Sequence, residues 1–190
     1  MPQKKWKKIF LISILAFVIV VAGVSGFIFF KINNDYVSEI EVLNTEGSET
    51  ALIIYHPGLS SFMQDVAYAF ADGLVENGWR VEITTASSQA QTDMSDYGLL
   101  VLGSPVYAAG SSSTINRYVE RIGDMQRIET VLLVTSAGSD GGAEASMQQT
   151  VEESNGVVKS VISLFTTAPN DGDPVLIAEQ AGRDIVIEKR

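Results

Sequence analysis

Residues 97–110 read Tyr-Gly-Leu-Leu-Val-Leu-Gly-Ser-Pro-Val-Tyr-Ala-Ala-Gly. The stretch opens on an apolar run, Leu99 to Leu102, and then breaks into Gly103-Ser104-Pro105, with an aromatic side chain at Tyr107. Central strands of a parallel sheet are buried on both faces, so they read as continuous apolar runs. The loop after such a strand lies at the carboxyl edge of the sheet, where open α/β folds bind ligands. The stretch therefore predicts a class of fold and the edge that carries its binding site.

The same alternation of apolar runs and helical periodicity continues through the chain from residue 51 onward. We predict strands at 51–55, 80–85, 99–102, 131–135 and within 157–165, and helices at 62–77, 111–125, 143–153 and 174–187. Strands that alternate with helices predict an α/β fold with one parallel sheet covered on both faces. Loops rich in Gly, Ser or Pro follow three of these strands, and we expect them to form a pocket at one edge.

The first thirty residues have a different character from the rest. Residues 1–8 form a basic flank with four lysines, and residues 9–30 are an uncharged, mostly apolar run. As a helix this run would extend roughly 33 Å at about 1.5 Å per residue, enough to cross a bilayer. A cleaved signal peptide is the alternative, since Ala22-Gly23-Val24-Ser25-Gly26 offers small residues for cleavage. The run continues through Phe30, and its length favours an uncleaved transmembrane helix.

The distribution of charge predicts how this helix is oriented. The four lysines precede the apolar run, whereas Asp35, Glu39 and Glu41 follow it. The basic side of a span tends to stay in the cytoplasm. We therefore expect a single-pass protein of the cell membrane, with a cytoplasmic N-terminus and its soluble domain outside the cytoplasm. Residues 31–50 are polar and acidic and are predicted to be a linker, with a short strand at 40–43, before a domain at 51–190.

Composition excludes several classes of function. The chain has no cysteine, which rules out disulfides, thiolate metal sites and thiol catalysis. Without the four flanking lysines, nine basic residues face 23 acidic ones, a net charge of −14. Such a domain repels nucleic acid. His56 is the only histidine, so we expect no metal site and interpret His56 as a loop residue with one local hydrogen bond.

The string Gly103-Ser104-Pro105-Val106-Tyr107 resembles the second flavin-contacting loop of the flavodoxin-like family. Two further features resemble those of the same family: Asp96-Tyr97 before the strand and Gly182 in the last helix. The resemblance covers residues 51–188. It implies a three-layer fold, a five-stranded parallel sheet of order 2-1-3-4-5, and FMN at the edge where that order reverses. The first loop, residues 56–61, reads His-Pro-Gly-Leu-Ser-Ser and departs from the family's Ser/Thr-x-Thr-Gly-x-Thr phosphate loop.

The resemblance implies cofactor-binding residues in three loops. They are Pro57, Gly58, Leu59, Ser60 and Ser61 in the first, Ser104, Pro105, Val106 and Tyr107 in the second, and Ser136, Ala137, Gly138 and Ser139 in the third. Each loop also has an interpretation without a ligand. The two serines before the helix can be caps, Tyr107 can be a packing residue, and the third loop can be a flexible turn. Asp140 is interpreted as a turn or cap residue.

Two functions follow from these expectations. One is a membrane-anchored electron carrier that holds FMN noncovalently and exchanges electrons with an unidentified redox protein. The alternative is a cofactor-free binding or interaction module on the outer membrane surface, since a fold does not fix a function. A quinone- or nitroreductase-type enzyme is a third option, but it needs a nicotinamide site that the sequence does not reveal. No catalytic residue or metal ligand is predicted, and enzymatic activity stays open.

Overall fold

A computed structural model describes residues 3–107, 110–139 and 141–186, with side chains from residue 6 onward. The chain divides into two units, one ending at Asn34 and the other beginning at Asp35. The far end of the predicted last helix and the end of the predicted domain, residues 187–190, lie outside the described residues, as does Asp140.

The first unit is a single long helix, α1 (Gln3–Asn33). Its segment Trp6–Asn33 is long and apolar enough to cross a membrane, and its most apolar described window has no buried residue. The helix runs past the predicted end at residue 30 and also includes most of the basic flank. Between residues 9 and 30 the exposed side chains of α1 are apolar on every side, so this part lacks the polar face of a helix that packs on a soluble core.

The second unit contains the other elements. The strands are β1 (Glu41–Leu43), β2 (Thr50–Tyr55), β3 (Arg80–Thr85), β4 (Leu99–Pro105), β5 (Glu129–Ser136) and β6 (Val157–Phe165). The helices are α2 (Phe62–Glu76), α3 (Ser113–Ile122), α4 (Ala143–Glu153) and α5 (Pro174–Arg183).

The six strands of this unit form one sheet in the order β1-β3-β2-β4-β5-β6. Strands β2 to β6 pair in parallel, and their order is the predicted 2-1-3-4-5. The predicted α/β fold class is confirmed, with one strand more than the five expected. The additional strand, β1, is short and runs antiparallel to β3 at the edge of the sheet.

The sheet has a core on each of its faces. In β2, Ile53 contributes to the core shared with α2 and α5, whereas Leu52 and Ile54 contribute to the core shared with α3 and α4. Strands β4 and β5 alternate in the same way, and all three are fully apolar at their centres. Successive side chains of a strand point to opposite faces, so these runs are the middle layer of a three-layer sandwich.

Helices α2 and α5 meet in unusually close backbone contact. A Cβ added at Gly182 of α5 would lie 2.2 Å from the carbonyl oxygen of Phe70 in α2. Across the same contact, a Cβ at Gly73 would lie 2.0 Å from the carbonyl oxygen of Glu179. Gly182, singled out by the family resemblance, is therefore a helix-contact residue.

Several boundaries differ from the sequence prediction. Strand β4 continues through Gly103-Ser104-Pro105, which was expected to be loop, and β5 includes Ser136. Parallel pairing explains both extensions, because Ser104 and Pro105 are the register partners of Val134 and Thr135, and Ser136 is that of Phe165. The polar composition of these positions favoured a loop, but pairing with neighbouring strands outweighs it.

The predicted linker at residues 31–50 is the other difference. The first three residues of the predicted linker belong to helix α1, and the residues from Asp35 onward belong to the domain. The Ser38 hydroxyl is hydrogen-bonded to the Thr84 and Thr85 hydroxyls at the carboxyl end of β3, at 3.0 and 3.1 Å. Asp35 accepts from the Ser88 amide and pairs with Arg117 at 3.0 Å. These contacts are long-range and left no pattern in the local sequence.

Replacing Gly182 by Ala is expected to destabilise the domain by about 1–3 kcal/mol, because overpacking at the α2–α5 contact outweighs the gain of about 1 kcal/mol in helix propensity. Urea denaturation of the full chain in detergent measures the free energy of unfolding. Gly110→Ala is the control, since a Cβ there meets no atom within 4 Å. Equal stability of both variants would contradict the close contact.

Candidate functional site

A cavity of about 180 Å³ lies at the carboxyl edge of the sheet, where β2, β4 and β5 end. All three predicted loops contribute to it. Its lining residues are Pro57, Leu59, Ser60, Phe62, Met63, Pro105, Val106, Tyr107, Thr135, Ser136, Ala137 and Thr166. Eight of the thirteen residues predicted from the loops thus surround one cavity, and their role in binding a cofactor stays a prediction.

The first loop leads into α2 with most of its backbone amides unpaired. Among the described residues, the amides of Gly58, Ser60 and Ser61 make no hydrogen bond, and the first bond of the helix runs from the Asp65 amide to the Ser61 carbonyl. The first three amides of α2 are also free, as at any helix N-terminus. Ser61 precedes the helix without capping it, because its hydroxyl donates to the Asp65 carboxylate at 3.0 Å. The result is a cluster of amide donors suited to an anion.

One amide of this loop is already occupied by a side chain from the second loop. The Leu59 amide donates to the Tyr107 hydroxyl oxygen at 2.6 Å. Gly58, with φ of +75°, leaves the space for it, since a Cβ there would lie 2.5 Å from that oxygen. Burial raises the pKa of Tyr107, although the Leu59 hydrogen bond lowers it in part. Tyr107 is therefore neutral at physiological pH and joins two loops of the candidate site.

The third loop brings a buried hydroxyl to the cavity. Ser136 ends β5, is 8% exposed, and lines the cavity. Its Oγ has no hydrogen-bond partner among the described residues. A buried polar atom without a partner costs about 1–3 kcal/mol, so a ligand that bonds to Ser136 would remove that cost.

Other predicted site residues lie away from the cavity lining. Ser104 is fully buried, and its hydroxyl accepts from the Ser112 amide at 2.8 Å, which ties β4 to the start of α3. Gly138 and Ser139 are exposed, and the Ser139 hydroxyl accepts from the Gly141 amide. The structure gives Ser104 and Ser139 local structural contacts of the kind the alternatives described.

Four lining residues were not anticipated from the sequence. Phe62 and Met63 belong to the first turn of α2, Thr135 lies at the end of β5, and Thr166 follows β6. The Thr135 hydroxyl also donates weakly to the Met63 sulfur at 3.6 Å. Met63 lies at the start of the predicted helix 62–77 and had no predicted role in the site. Thr166 follows the predicted strand within 157–165, whose loop also had no predicted role.

The docked segment before β1 reaches the same edge of the sheet. The Tyr36 ring lies edge-on to the His56 ring, with centroids 5.9 Å apart. His56 is fully buried, and its amide donates to the Gly103 carbonyl. His56 does not line the cavity. It instead supports the start of the first loop, between β4 and Tyr36.

The cavities at the two ends of the sheet are lined by different charges, so they would accept different ligands. Among the described residues, the carboxyl-edge cavity is lined by no Lys or Arg and no carboxylate. The acid nearest in sequence to a lining residue is Asp65, in the first turn of α2. A second cavity of about 160 Å³, at the amino ends of the strands, is lined by Glu49, Asp96 and Glu129 and would repel a phosphate. Within the described residues, no group of three or more His, Cys, Asp or Glu side chains is placed to hold a metal.

This three-layer arrangement, with its strand order and its cavity at the carboxyl edge, is the flavodoxin-like fold, and solved structures share it. The chain is similar to a flavodoxin from the domain Archaea, with TM-score 0.58 and 14% identity over 71% of this chain and 94% of that one. It is also similar to two-electron reduced Megasphaera elsdenii flavodoxin, with TM-score 0.59, 14% identity, and coverage of 71% and 99%.

A third similar structure is the NAD(P)H:quinone oxidoreductase from Methanothermobacter marburgensis, with TM-score 0.53, 17% identity, and coverage of 73% and 99%. No protein-family model and no curated protein matches the chain. At these identities the likeness shows the fold alone.

Replacing Asp65 by Asn is expected to tighten binding of inorganic phosphate by about two- to fivefold, because a negative charge in the first turn of a helix opposes an anion there. Amide chemical-shift titration of the full chain in detergent measures the affinity. Asp72→Asn, an exposed acid farther along α2, should change nothing. The gain should shrink at high salt; equal effects of the two variants would count against an anion site at α2.

Proposed function

We propose that the domain binds FMN in the carboxyl-edge cavity and transfers electrons, and that α1 anchors it in a membrane. The single observation that carries the proposal is the convergence of three loops on one cavity, with free amides at one end and the unpartnered Ser136 hydroxyl at the other side. The flavodoxin-like fold supports it, because two of the similar structures are flavodoxins.

The first loop has the donors that a phosphate monoester needs. The amides of Ser60 and Ser61 and the first three amides of α2 are free among the described residues. The Ser60 hydroxyl is exposed and makes no hydrogen bond in the described structure. Oriented amides and a helix dipole bind phosphate without a cationic side chain. Asp65 opposes this binding but does not occupy the donors.

The rest of the cavity suits a planar, largely apolar ring. Leu59, Pro105, Val106 and Tyr107 supply apolar and aromatic walls, and Ser136 supplies a hydroxyl for a polar ring edge. The volume of about 180 Å³ is below the roughly 300–1,000 Å³ of sites that enclose a drug-sized ligand. A bound flavin would therefore keep part of its ring exposed, as electron exchange with another protein requires.

When bound, the flavin supplies the redox chemistry by accepting and releasing one or two electrons. The residues of the chain bind and orient it. The amide cluster would hold the phosphate end, Pro105 and Val106 would contact the ring, and Ser136 would bond its polar edge. Leu59, 42% exposed, limits water at the cavity mouth.

The absorption spectrum of the protein, purified in detergent and supplied with FMN, tests the proposal. We expect flavin bands and quenched flavin fluorescence. Ser60→Ala should weaken FMN binding by roughly 10- to 150-fold, because a hydrogen bond to a charged group is worth about 1.5–3 kcal/mol, while riboflavin affinity stays nearly the same.

Ser61→Ala is the matched control for this prediction. Its hydroxyl is engaged by Asp65, so FMN affinity should fall less than in Ser60→Ala. Equal losses in FMN and riboflavin affinity for Ser60→Ala would contradict a phosphate role, and absence of any flavin binding at micromolar FMN would overturn the proposed function.

A cofactor-free interaction module is the second candidate, and one observation favours it. The Tyr107 hydroxyl fills the space beside Gly58 and takes the Leu59 amide, so the first loop is satisfied in part without a ligand. Under this function neither FMN nor phosphate binds at the first loop. The spectrum and the phosphate titration therefore separate the two candidates.

The anchoring role rests on α1 and on charge. The helix is long and apolar enough to span a bilayer, lysines lie in its first turns, and acids follow it. This asymmetry favours a cytoplasmic N-terminal flank and a domain outside the cytoplasm. We expect the redox partner to be a protein at that membrane surface.

Protease added to intact cells is expected to degrade the domain, whereas a cytoplasmic marker protein stays intact. Adding four lysines after α1, in place of Asp35, Glu39, Glu41 and Glu46, should reduce this accessibility, because positive charge on that side opposes translocation. Protection of the unmodified domain in intact cells would overturn the outward orientation.

A further inference from the structure

The Tyr107 hydroxyl lies among the donors of the first loop. It accepts from the Leu59 amide at 2.6 Å, and only the missing side chain at Gly58 leaves room for it. The amides on either side, those of Gly58 and Ser60, have no partner in the described structure. One neutral oxygen thus occupies part of a donor cluster that is otherwise empty of protein acceptors.

A separate observation points to a ligand in the same cavity. Ser136 is 92% buried, lines the cavity, and leaves its Oγ without a partner among the described residues. The protein satisfies the Leu59 amide with its own side chain but leaves Ser136 unsatisfied. The two ends of the site therefore differ: Tyr107 occupies one donor at the first end, whereas Ser136 at the other has no partner among the described residues.

We propose that the Tyr107 hydroxyl occupies the phosphate end of the site and that a phosphate monoester displaces it by accepting the hydrogen bond of the Leu59 amide. We call Tyr107 in this role the stopper. This inference rests on the proposed function, because FMN is the phosphate monoester expected in the cavity. A phosphate oxygen is charged, and hydrogen bonds to charged acceptors are roughly twice as strong as neutral ones. The exchange keeps the Leu59 amide bonded and frees the Tyr107 ring.

The stopper makes Tyr107 a specificity-determining residue. A phosphorylated ligand offers a better acceptor than the tyrosine hydroxyl and displaces it, whereas an unphosphorylated ring leaves the bond to Leu59 in place. The hydrogen bond lies at the exposed side of the loop, so water satisfies the Leu59 amide whenever Tyr107 leaves. The released ring stays tethered beside the cavity, because Tyr107 pairs with Gly110 through its backbone.

Tyr107→Phe tests the stopper, since it removes only the competing oxygen. Titration of the full chain in detergent with inorganic phosphate, followed by the amide signals of Leu59 and Ser60, should show affinity increased by about two- to tenfold, the range of one neutral hydrogen bond. FMN affinity should rise by the same factor, and riboflavin affinity should change by less than about twofold because it lacks the phosphate.

Tyr68→Phe is the matched control. It also removes one tyrosine hydroxyl, but that hydroxyl donates to Glu41 at 2.8 Å and lies outside the cavity lining. Its phosphate and FMN affinities should equal those of the unmodified chain.

The outcomes separate this inference from the proposed function. Unchanged or weaker phosphate binding in Tyr107→Phe overturns the stopper, as does the absence of phosphate binding in both proteins. Tighter phosphate binding in Tyr107→Phe, with no FMN binding by either protein, supports the stopper and overturns the flavin function. An equal rise in FMN and riboflavin affinity shows that Tyr107 blocks the ring rather than the phosphate, and overturns the inference.

Discussion

The register of the three central strands is the constraint on which the candidate site depends. Tyr55, the last residue of β2, is the partner of Gly103, so β4 extends two residues beyond the end of β2. Pro105 in turn pairs with Thr135 near the end of β5. Because β4 reaches past β2, the residues after it lie over the first loop. A register shifted by one residue would turn every side chain of the shifted strand to the opposite face and separate Tyr107 from Leu59.

Much of this fold was predictable because its signals are local. Continuous apolar runs marked β2, β4 and β5, the alternation of strands with helices placed β3 and β6, and helix periodicity marked α2 almost to the residue. Strand ends were less predictable, since Ser104 and Pro105 have loop-like composition and become strand by pairing with β5. The docking of residues 35–39 was the largest departure, whereas the short strand expected at 40–43 does form, as β1 (Glu41–Leu43). The polar residues before β1 resemble a linker, and contacts with residues distant in sequence, on β3 and at Ser88, Arg117 and His56, bind them to the domain.

The candidate site was predictable at the level of loops but not of individual contacts. The rule that parallel strands present their carboxyl ends at one edge was enough to bring Ser60, Tyr107 and Ser136 together. It could not distinguish Ser60 from Ser61, whose hydroxyl turns to Asp65. Nor could it foresee the bond between Tyr107 and Leu59, 48 residues apart, since that contact depends on a register set by side chains elsewhere.

The docking of residues 35–43 has a consequence for where the domain can be cut. Strand β1 pairs with residues 81–83 of β3, and Ser38 adds hydrogen bonds at Thr84 and Thr85. A shortened chain that began at residue 45 would leave this side of β3 bare, and an unprotected sheet edge is a template for aggregation. One that began at Asp35 would keep its own protective strand and the Tyr36 ring beside His56. The compact unit therefore starts at Asp35, two residues after Asn33, the last residue of the apolar helix.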